Sequence, residues 1–301
     1  MDETAKERRA ASRLAADRVS YLTVGPDGAG QRLDNFLLRL AKGVPQSHVY
    51  RIVRSGQVRV NKARASVDRR LVEGDRIRVP PLRLAAAPPP PVRAQMPPVL
   101  FEDEHLIVVD KPAGLAAHGG SGIAHGLIEM VRAARPNQPF LELAHRLDRE
   151  TSGILLLAKT RRALLGLHEQ LREGQVDKRY LALVAGDWVN DRQHLAAHTV
   201  FNLRHRYGPF SLLEAELKTG RTHQIRVHLG HVGFPIVGDG KYGDFELNRR
   251  VARGEFGVPL RRMFLHACAT RFVHPVSGVP MAIESALDRE CSDFLRGLGR
   301  A

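Results

Sequence analysis

Residues 145–157 read HRLDRETSGILLL, a charged segment that leads into a continuous apolar run. The run Ile154 to Leu157 predicts a strand that is buried on both faces. Asp148 stands between Arg146 and Arg149 at the mouth of that strand, where flanking cations hold a carboxylate ionised and aimed. If the segment is extended, Arg146 and Asp148 project to the same side. A surface salt-bridge cluster beside a turn is the alternative interpretation.

Downstream of residue 98, short apolar runs outnumber helical patterns, which predicts an α+β domain built on a mainly antiparallel sheet. The predicted helices are Ala124 to Ala134 and Arg161 to Arg172. The other predicted strands are Leu106 to Val109, Tyr180 to Val184, Leu212 to Leu217 and Ile225 to Leu229.

Two further segments carry candidate chemistry. Gly220 to His228 is interpreted as a strand, which directs Arg226 toward Asp148 to lower the pKa of that carboxylate and orient it. On such a strand His223 and His228 lie on opposite faces, so no metal site is expected. Tyr180 follows two cations into a buried strand, where its ring stacks on a base and its hydroxyl exchanges a proton. A structural ion pair and a core tyrosine are the respective alternatives.

The amino-terminal third has a different pattern. Leu33, Phe36, Leu37 and Leu40 recur at helical spacing, and Ser47 is placed to cap a second short helix that Gly56 ends. Val58 to Asn61 and Asp75 to Val79 alternate as half-buried strands, joined through a turn at residues 73–75. The result is a small α+β unit with exposed arginines.

Charge is concentrated in that third. The chain has 301 residues and a formal net charge of 46 − 32 = +14. Residues 1–95 hold 19 Lys plus Arg and 9 Asp plus Glu, so +10 of this charge lies there and 27 − 23 = +4 in the rest. A pI near 10.5 favours a polyanionic partner, either nucleic acid or anionic lipid.

Composition also predicts the domain organisation: a flexible tail over 1–20, a small domain over 21–81, a proline-rich linker over 82–98 and a large domain over 99–301. Between Pro80 and Pro98 lie 8 of the 18 prolines, which favours an extended spacer. No signal peptide or membrane span is expected, and Cys268 and Cys291 are interpreted as packing residues in a reducing cytoplasm. A monomer is the expected assembly.

The motifs HRLD with TSG (145–153), KRY (178–180) and GRTHQIR (220–226) together resemble the signature motifs of the RluA family of pseudouridine synthases. Residues 30–80 resemble the αL RNA-binding module of small ribosomal protein four. Within the family the chain is most similar to the RluC subgroup, which modifies large-subunit ribosomal RNA. The resemblance implies the pseudouridine synthase fold, with a mixed sheet flanked by helices, and an rRNA substrate without metal or other cofactor.

The resemblance also implies residue roles. Asp148 matches the catalytic aspartate, Arg226 the arginine that pairs with it, and Tyr180 the tyrosine that stacks on the target base and is a candidate proton acceptor. Arg146 matches the arginine that enters the RNA where the uridine is flipped out. In the αL module the residues expected to bind RNA are basic: Arg32, Arg51, Arg54, Arg59 and Lys62.

One departure from the family pattern favours a second hypothesis. The family normally has an extra pair of strands after residue 188, whereas here only Val189 to Ala196 spans that gap. A catalytically impaired rRNA-binding or ribosome-assembly factor is therefore the alternative to an active synthase. A third hypothesis, an enzyme that removes the nucleobase by hydrolysis, uses a similar carboxylate and releases free uracil.

Overall fold

The computed structural model describes residues 14–15, 17–41, 44, 46–82, 96–119, 126–195 and 199–299. The chain divides into two units, Met1–Arg93 and Ala94–Ala301. Residues 1–13, 16 and 83–95 lie outside the described ranges, so the flexible tail and the proline-rich linker stay predictions there. The described end of the predicted tail is ordered, because Leu14 is buried in the core and the amide of Ala15 donates to Ser20 Oγ at 2.8 Å.

The first unit packs two helices on one face of a four-stranded antiparallel sheet. Its elements are β1 (Ser20–Thr23), α1 (Leu33–Leu40), α2 (Gln46–Arg54), β2 (Arg59–Val60), β3 (Ala63–Arg64) and β4 (Arg76–Val79). The strand order is β1-β4-β2-β3. Because α2 already begins at Gln46, the prediction that Ser47 caps it is wrong, and Ser47 lies in the first turn.

The second unit is a larger α+β fold. Its strands are β5 (Val99–Glu102), β6 (Leu106–Lys111), β7 (Glu142–Leu143), β8 (Ser152–Ala158), β9 (Asp177–Ala185), β10 (Arg192–Leu195), β11 (Thr199–Tyr207), β12 (Phe210–Leu217), β13 (Leu265–Val273) and β14 (Pro280–Glu284). Its described helices are α3 (Leu127–Ala134), α4 (Arg161–Arg172), α5 (Gln224–His231), α6 (Phe245–Ala252) and α7 (Arg289–Leu298).

These strands form one sheet in the order β10-β11-β12-β9-β13-β8-β6-β5, with β14 on β13 and β7 on β8. Every described pairing is antiparallel except that of β8 with β13. The predicted mixed, mainly antiparallel sheet flanked by helices is confirmed.

Strand β8 carries the apolar run of the opening motif through the centre of this sheet. All seven of its residues are buried. Leu155 and Leu157 pack into one apolar cluster, and Ile154 and Leu156 into another on the opposite face. Burial on both faces explains why the run is continuous rather than alternating.

The prediction of a strand at Ile225 to Leu229 is wrong, because these residues form α5. The side chain of Gln224 organises the turn before the helix: its Oε1 accepts from the amide of Arg221 at 3.0 Å and its Nε2 donates to Thr199 Oγ1 at 2.9 Å. Ile225 and Leu229 are buried at helical spacing, whereas Val227 is 41% exposed.

The short segment after residue 188 leaves the sheet continuous in the described residues. Trp188 is buried against Phe201 and Phe234. Strand β10 then pairs with β11, and β11, β12 and β9 keep their antiparallel pairing. Residues 196–198 lie outside the described ranges.

Candidate active site

The loop between β7 and β8 presents Asp148, and a buried lysine holds this loop in place. Lys111 is fully buried, and its Nζ donates to the carbonyls of Pro112 (3.0 Å), Leu115 (2.8 Å) and Arg149 (3.1 Å). Burial lowers the pKa of Lys111 to about 7. The amide of Gly114 also donates to the Arg149 carbonyl, at 2.9 Å. The backbone next to Asp148 is therefore tied to the end of β6.

His145 anchors the other side of the loop. Its Nε2 accepts from the amide of Leu156 at 3.2 Å. Burial, reinforced by the charge of Lys178, lowers the pKa of His145 to about 4. The ring is therefore neutral at physiological pH, as its acceptor role requires.

Asp148 is backed by an arginine that a second, buried carboxylate orients. Arg226 Nη1 donates to Asp148 Oδ2 at 3.3 Å, while its Nε and Nη2 both bond Asp239 at 2.8 Å. Asp148 keeps 27% of its side-chain surface, whereas Arg226 and Asp239 are buried. Asp239 also accepts from the amides of Lys241 and Tyr242, so its charge is fully bonded.

The ion pair with Asp239 keeps Arg226 charged. Burial acts to raise the pKa of Asp239, but the hydrogen bonds from Arg226 and from two amides outweigh it and lower that pKa. The hydrogen bonds to Asp239 raise the pKa of Arg226 against its own burial. A guanidinium fixed by a bidentate ion pair has little freedom to leave Asp148.

His223 approaches the same carboxylate from the start of α5. It adopts a left-handed conformation with φ of 56°, which is uncommon for a residue other than glycine. Its Nδ1 lies 3.1 Å from the hydroxyl of Tyr242, and its Nε2 lies 3.6 Å from Asp148 Oδ2. The helical turn therefore brings both His223 and Arg226 to Asp148, which the predicted strand did not provide for His223.

Tyr180 on β9 forms a wall of the site. It is buried, and burial together with the negative charge of Asp148 raises its pKa. Its hydroxyl is therefore protonated at neutral pH. The pairing of Tyr180 with Ala267 of β13 and Ala215 of β12 places it at the centre of the sheet.

Asp148 and Tyr180 lie on the boundary between two spaces. One is an open cleft of about 840 Å³, whose lining also includes His168, Arg172 and Lys178. The other is a recess of about 80 Å³, lined by His223, Arg226 and Ile225. Arg146 is exposed and, like Asp148, lines both spaces.

The residues predicted to bind RNA in the first unit are spread over several elements. Arg32, just before α1, is bonded to Asp34 at 2.8 Å, so its charge is partly neutralised. On α2, Arg51 contacts His48 and Arg54 lies over the ring of Tyr50. Arg59 Nη1 donates to the carbonyl of Lys62 at 3.2 Å in the β2–β3 hairpin, and Arg51 and Arg54 are neighbours in the last turn of α2.

Sequence reasoning missed Asp239, Lys111 and a buried polar network. In that network Ser152 Oγ lies 2.9 Å from His266 Nδ1 and accepts from Arg262 Nη2 at 2.9 Å. The sequence does contain a signal for Asp239, because this residue stands between two glycines. In the structure Gly238 has a φ of 78°. At Gly238 a Cβ atom would lie 2.1 Å from the Arg262 carbonyl, so only glycine fits.

Comparison with known proteins identifies the family of the chain that carries this site. The family described as RNA pseudouridylate synthase matches residues 105–231, which include Asp148, Tyr180 and Arg226, and the S4 domain family matches residues 31–77. A protein of Yersinia pestis named ribosomal large subunit pseudouridine synthase C is 45% identical, covering 93% of this chain and 96% of its own length. The chain belongs to the RNA pseudouridylate synthase family.

Other relatives of this synthase agree. The protein of the same name from Escherichia coli K12 is 44% identical over 94% of this chain and 98% of its own. The solved structure of human RNA pseudouridylate synthase domain containing 4 covers 67% of this chain and 92% of its own, with a TM-score of 0.52 and 24% identity, and so supports the fold. The synthase is accordingly an isomerase with an amino-terminal S4 domain.

The described residues of the synthase contain neither a metal-binding cluster nor a membrane-spanning helix. No group of three or more His, Cys, Asp or Glu residues is arranged there to hold a metal ion. No helix in the described ranges has the length and apolarity needed to cross a bilayer.

Proposed function

We propose that this synthase converts specific uridines of large-subunit ribosomal RNA to pseudouridine, with Asp148 as the catalytic carboxylate. One observation carries the proposal: Asp148 reaches an open cleft while the buried ion pair of Arg226 and Asp239 holds it from behind. The rRNA substrate is supported by the names of the relatives that match nearly the whole chain.

The reaction breaks the bond between uracil N1 and the ribose, turns the base over and joins its C5 to the ribose, after which the C5 proton leaves. An ionised carboxylate starts this either by covalent attack or by assisting deprotonation of the ribose. Both routes use the carboxylate of Asp148, which the guanidinium of Arg226 contacts at 3.3 Å and so orients.

Tyr180 suits two successive roles in this scheme. While Asp148 is charged, the raised pKa of Tyr180 keeps its phenol protonated, so it contacts the base as a ring and as a hydrogen-bond donor. Covalent attack would consume the charge of Asp148 and thereby remove one of the causes that raise this pKa. The phenol must release its own proton to solvent before its oxygen can accept the C5 proton, and the loss of the Asp148 charge makes that ionisation easier.

Arg146 is proposed to enter the RNA as the target uridine is flipped out. Its side chain is exposed and lines the same two spaces as Asp148. An enzyme that acts on a stacked base must first extrude it, and a cation in the vacated space compensates for lost stacking and neutralises nearby phosphates.

The test measures tritium release from rRNA transcripts labelled at C5 of uracil. Asp148→Asn should lower the rate at least about a thousandfold while RNA affinity persists, because the carboxylate acts in the chemical step. The control Glu150→Gln removes an exposed carboxylate from the same loop and should leave the rate within about twofold. Release by Asp148→Asn at the wild-type rate would refute the proposal.

The same assay separates the alternatives. A catalytically impaired assembly factor would bind rRNA without any tritium release by the wild-type chain. A hydrolytic enzyme would release free uracil, which chromatography detects. The continuous pairing of β9, β12 and β11 beside the short segment 189–196 supports activity.

We further propose that the synthase acts as a monomer in the cytoplasm. Cys268 and Cys291 are both free, and burial raises the pKa of Cys268 to about 11, as suits a packed thiol in a reducing compartment. Light scattering of the purified chain at micromolar concentration should give a mass near 33.4 kDa.

A further inference from the structure

Among the described residues of the first unit, α1 and α2 both pack on one face of the four-stranded sheet, and no described helix packs on the other. Leu22, Val60, Ile77 and Val79 point toward α1 and α2 and are buried in the core of the unit. The alternate positions on the same strands point the other way. That outer face carries no acidic residue: its positions are Tyr21, Thr23, Arg59, Arg64, Arg76 and Arg78.

Strand register aligns four of these side chains into a single row. Tyr21 pairs with Arg78, Arg78 with Arg59, and Arg59 with Arg64. Neighbouring strands lie about 4.8 Å apart, so the row is about 14 Å long. We call these four residues the Tyr21 row.

The charges of the row are not neutralised within the described part of the chain. Arg78 donates to the carbonyl of Gln57 at 2.8 Å and Arg59 to that of Lys62 at 3.2 Å, so carbonyls rather than carboxylates hold these guanidinium groups. Like charges directly opposite each other destabilise a sheet. Three arginines in adjacent register therefore disfavour folding slightly, and a bound anion would relieve their repulsion.

Tyr21 adds an aromatic surface to the end of the row. It is 52% exposed, and the guanidinium of Arg76 lies 4.9 Å from its ring centroid. An exposed tyrosine beside arginines is the pattern on which unpaired bases stack while cations contact the phosphates. Strand β1, which carries it, lies outside the residues 31–77 that match the S4 family.

We propose that the Tyr21 row is a second RNA-binding surface, which binds an unpaired RNA segment with phosphates on Arg59, Arg64 and Arg78 and a base on Tyr21. It is distinct from the helix face that carries Arg51 and Arg54, because the sheet lies between them. The inference deepens the proposed function and rests on it, since the RNA is a segment of the rRNA substrate.

The test titrates the full-length chain with two RNAs, a large-subunit rRNA transcript and a 12-nucleotide oligouridylate, over a range of salt concentrations. Replacing Arg59, Arg64 and Arg78 together with Gln should lower the salt slope of oligouridylate binding by about 2, since each phosphate contact to a single strand contributes about 0.7. Replacing the same three with Lys retains the charges and should keep the slope.

The matched control replaces Arg249, Arg253 and Arg261, exposed arginines of the second unit, with Gln, which gives the same change in net charge. Its slope should change by less than about 0.5. Tyr21→Ala should weaken oligouridylate binding about tenfold without altering the slope, because stacking is not ionic. Thermal melting followed by circular dichroism checks that each variant is folded.

The outcomes separate this inference from the proposed function. If the wild-type chain binds and isomerises rRNA but the Gln variant of the row matches the control, the second surface is refuted and the proposed function stands. If the wild-type chain binds neither RNA, both are refuted. If the Lys variant loses as much slope as the Gln variant, the charges are not the cause and the inference falls.

Discussion

At the scale of single residues, the site depends on three charged side chains that contact one another in series. Asp148 performs the proposed chemistry, Arg226 contacts it, and Asp239 fixes Arg226 by two hydrogen bonds of 2.8 Å. Asp239 is a positioning residue, because it touches Arg226 and not the cleft. Because Asp239 is buried, the hydrogen bonds that it accepts from the Arg226 guanidinium cannot be replaced by water.

Asp239→Asn should therefore lower tritium release at saturating RNA about a hundredfold while the KM for RNA stays within about threefold. The amide of asparagine accepts only one of the two Arg226 hydrogen bonds and carries no charge, so Arg226 loses its fixed orientation toward Asp148. Asp187→Asn, which breaks the exposed ion pair with Arg206, is the control and should leave the rate unchanged. Full activity of a folded Asp239→Asn protein would show that Arg226 needs no such support.

At the scale of elements, the contact of β8 with β13 fixes the end of the catalytic loop. Gly153 has a φ of 105°, and a Cβ atom built there would lie 2.3 Å from the carbonyl oxygen of Ala267. Gly153 and Ala267 are partners in the pairing of β8 with β13, which is the only parallel pairing among the described strands. The glycine of the TSG motif is therefore required by the sheet.

Gly153→Ala is expected to lower the free energy of unfolding by about 3 kcal/mol, combining the cost of a left-handed alanine with a backbone clash. Gly278→Ala is the control: its φ is 74°, but nothing lies within 4 Å of the added Cβ, so it should lose only about 1 kcal/mol. Urea unfolding of both variants measures the difference. Equal losses would mean that β13 moves away without penalty.

A second element-scale contact ties β5 to α3. The carboxylate of Glu102 accepts from Arg135 at 2.5 and 3.0 Å and from Lys159 at 3.0 Å. The hydrogen bonds from Arg135 contribute most and, with help from Lys159, lower the pKa of Glu102 to about 2 against the effect of burial. The contribution to stability is thus present above the ordinary pKa near 4.5 and is lost as the pH falls toward 2.

Glu102→Gln should reduce the free energy of unfolding by about 2 kcal/mol at pH 7, because charge-assisted hydrogen bonds to a partly buried carboxylate are lost. The difference from the wild type should shrink steadily between pH 4.5 and the acid limit of the folded state. Glu169→Gln, at an exposed pair with Arg172, is the control and should change stability by less than about 0.5 kcal/mol. A pH-independent difference would exclude ionisation as the cause.

At the scale of the whole molecule, charge and chemistry are divided between the two units. Residues 1–95 carry +10 of the net charge of +14, whereas the proposed catalytic groups Asp148, Tyr180 and Arg226 all lie in the second unit. Each unit encloses its own apolar core, made of residues from that unit alone among the described clusters. The first unit therefore supplies most of the long-range attraction for RNA.

Removing residues 1–93 should weaken rRNA binding and reduce its salt dependence, because most of the phosphate-neutralising charge goes with that segment. Binding measured from 50 to 300 mM salt gives the slope before and after truncation. Circular dichroism confirms that the remaining unit is folded. An unchanged slope would assign the phosphate contacts to the second unit.

The sequence by itself determined the class of the fold and indicated Asp148, Tyr180 and Arg226 as candidate site residues. The mainly antiparallel sheet, the helix Arg161–Arg172 and the buried strand after the HRLD motif follow from local periodicity, which depends only on neighbouring residues. The motif also placed Arg146 beside Asp148 at the cleft. The division of net charge between the two units follows from counting the charged residues in the sequence.

Tertiary structure alone decided how Asp148 is supported. Whether Ile225 to Leu229 forms a strand or a helix depends on Gln224 bonding to Thr199 and Arg221, a contact that its short apolar run does not encode. Asp239, Lys111 and the Tyr21 row emerge only when distant segments meet, because ion pairs, buried donors and strand register are properties of pairs of residues. Local patterns cannot specify such pairs, since either partner alone looks like an ordinary surface residue.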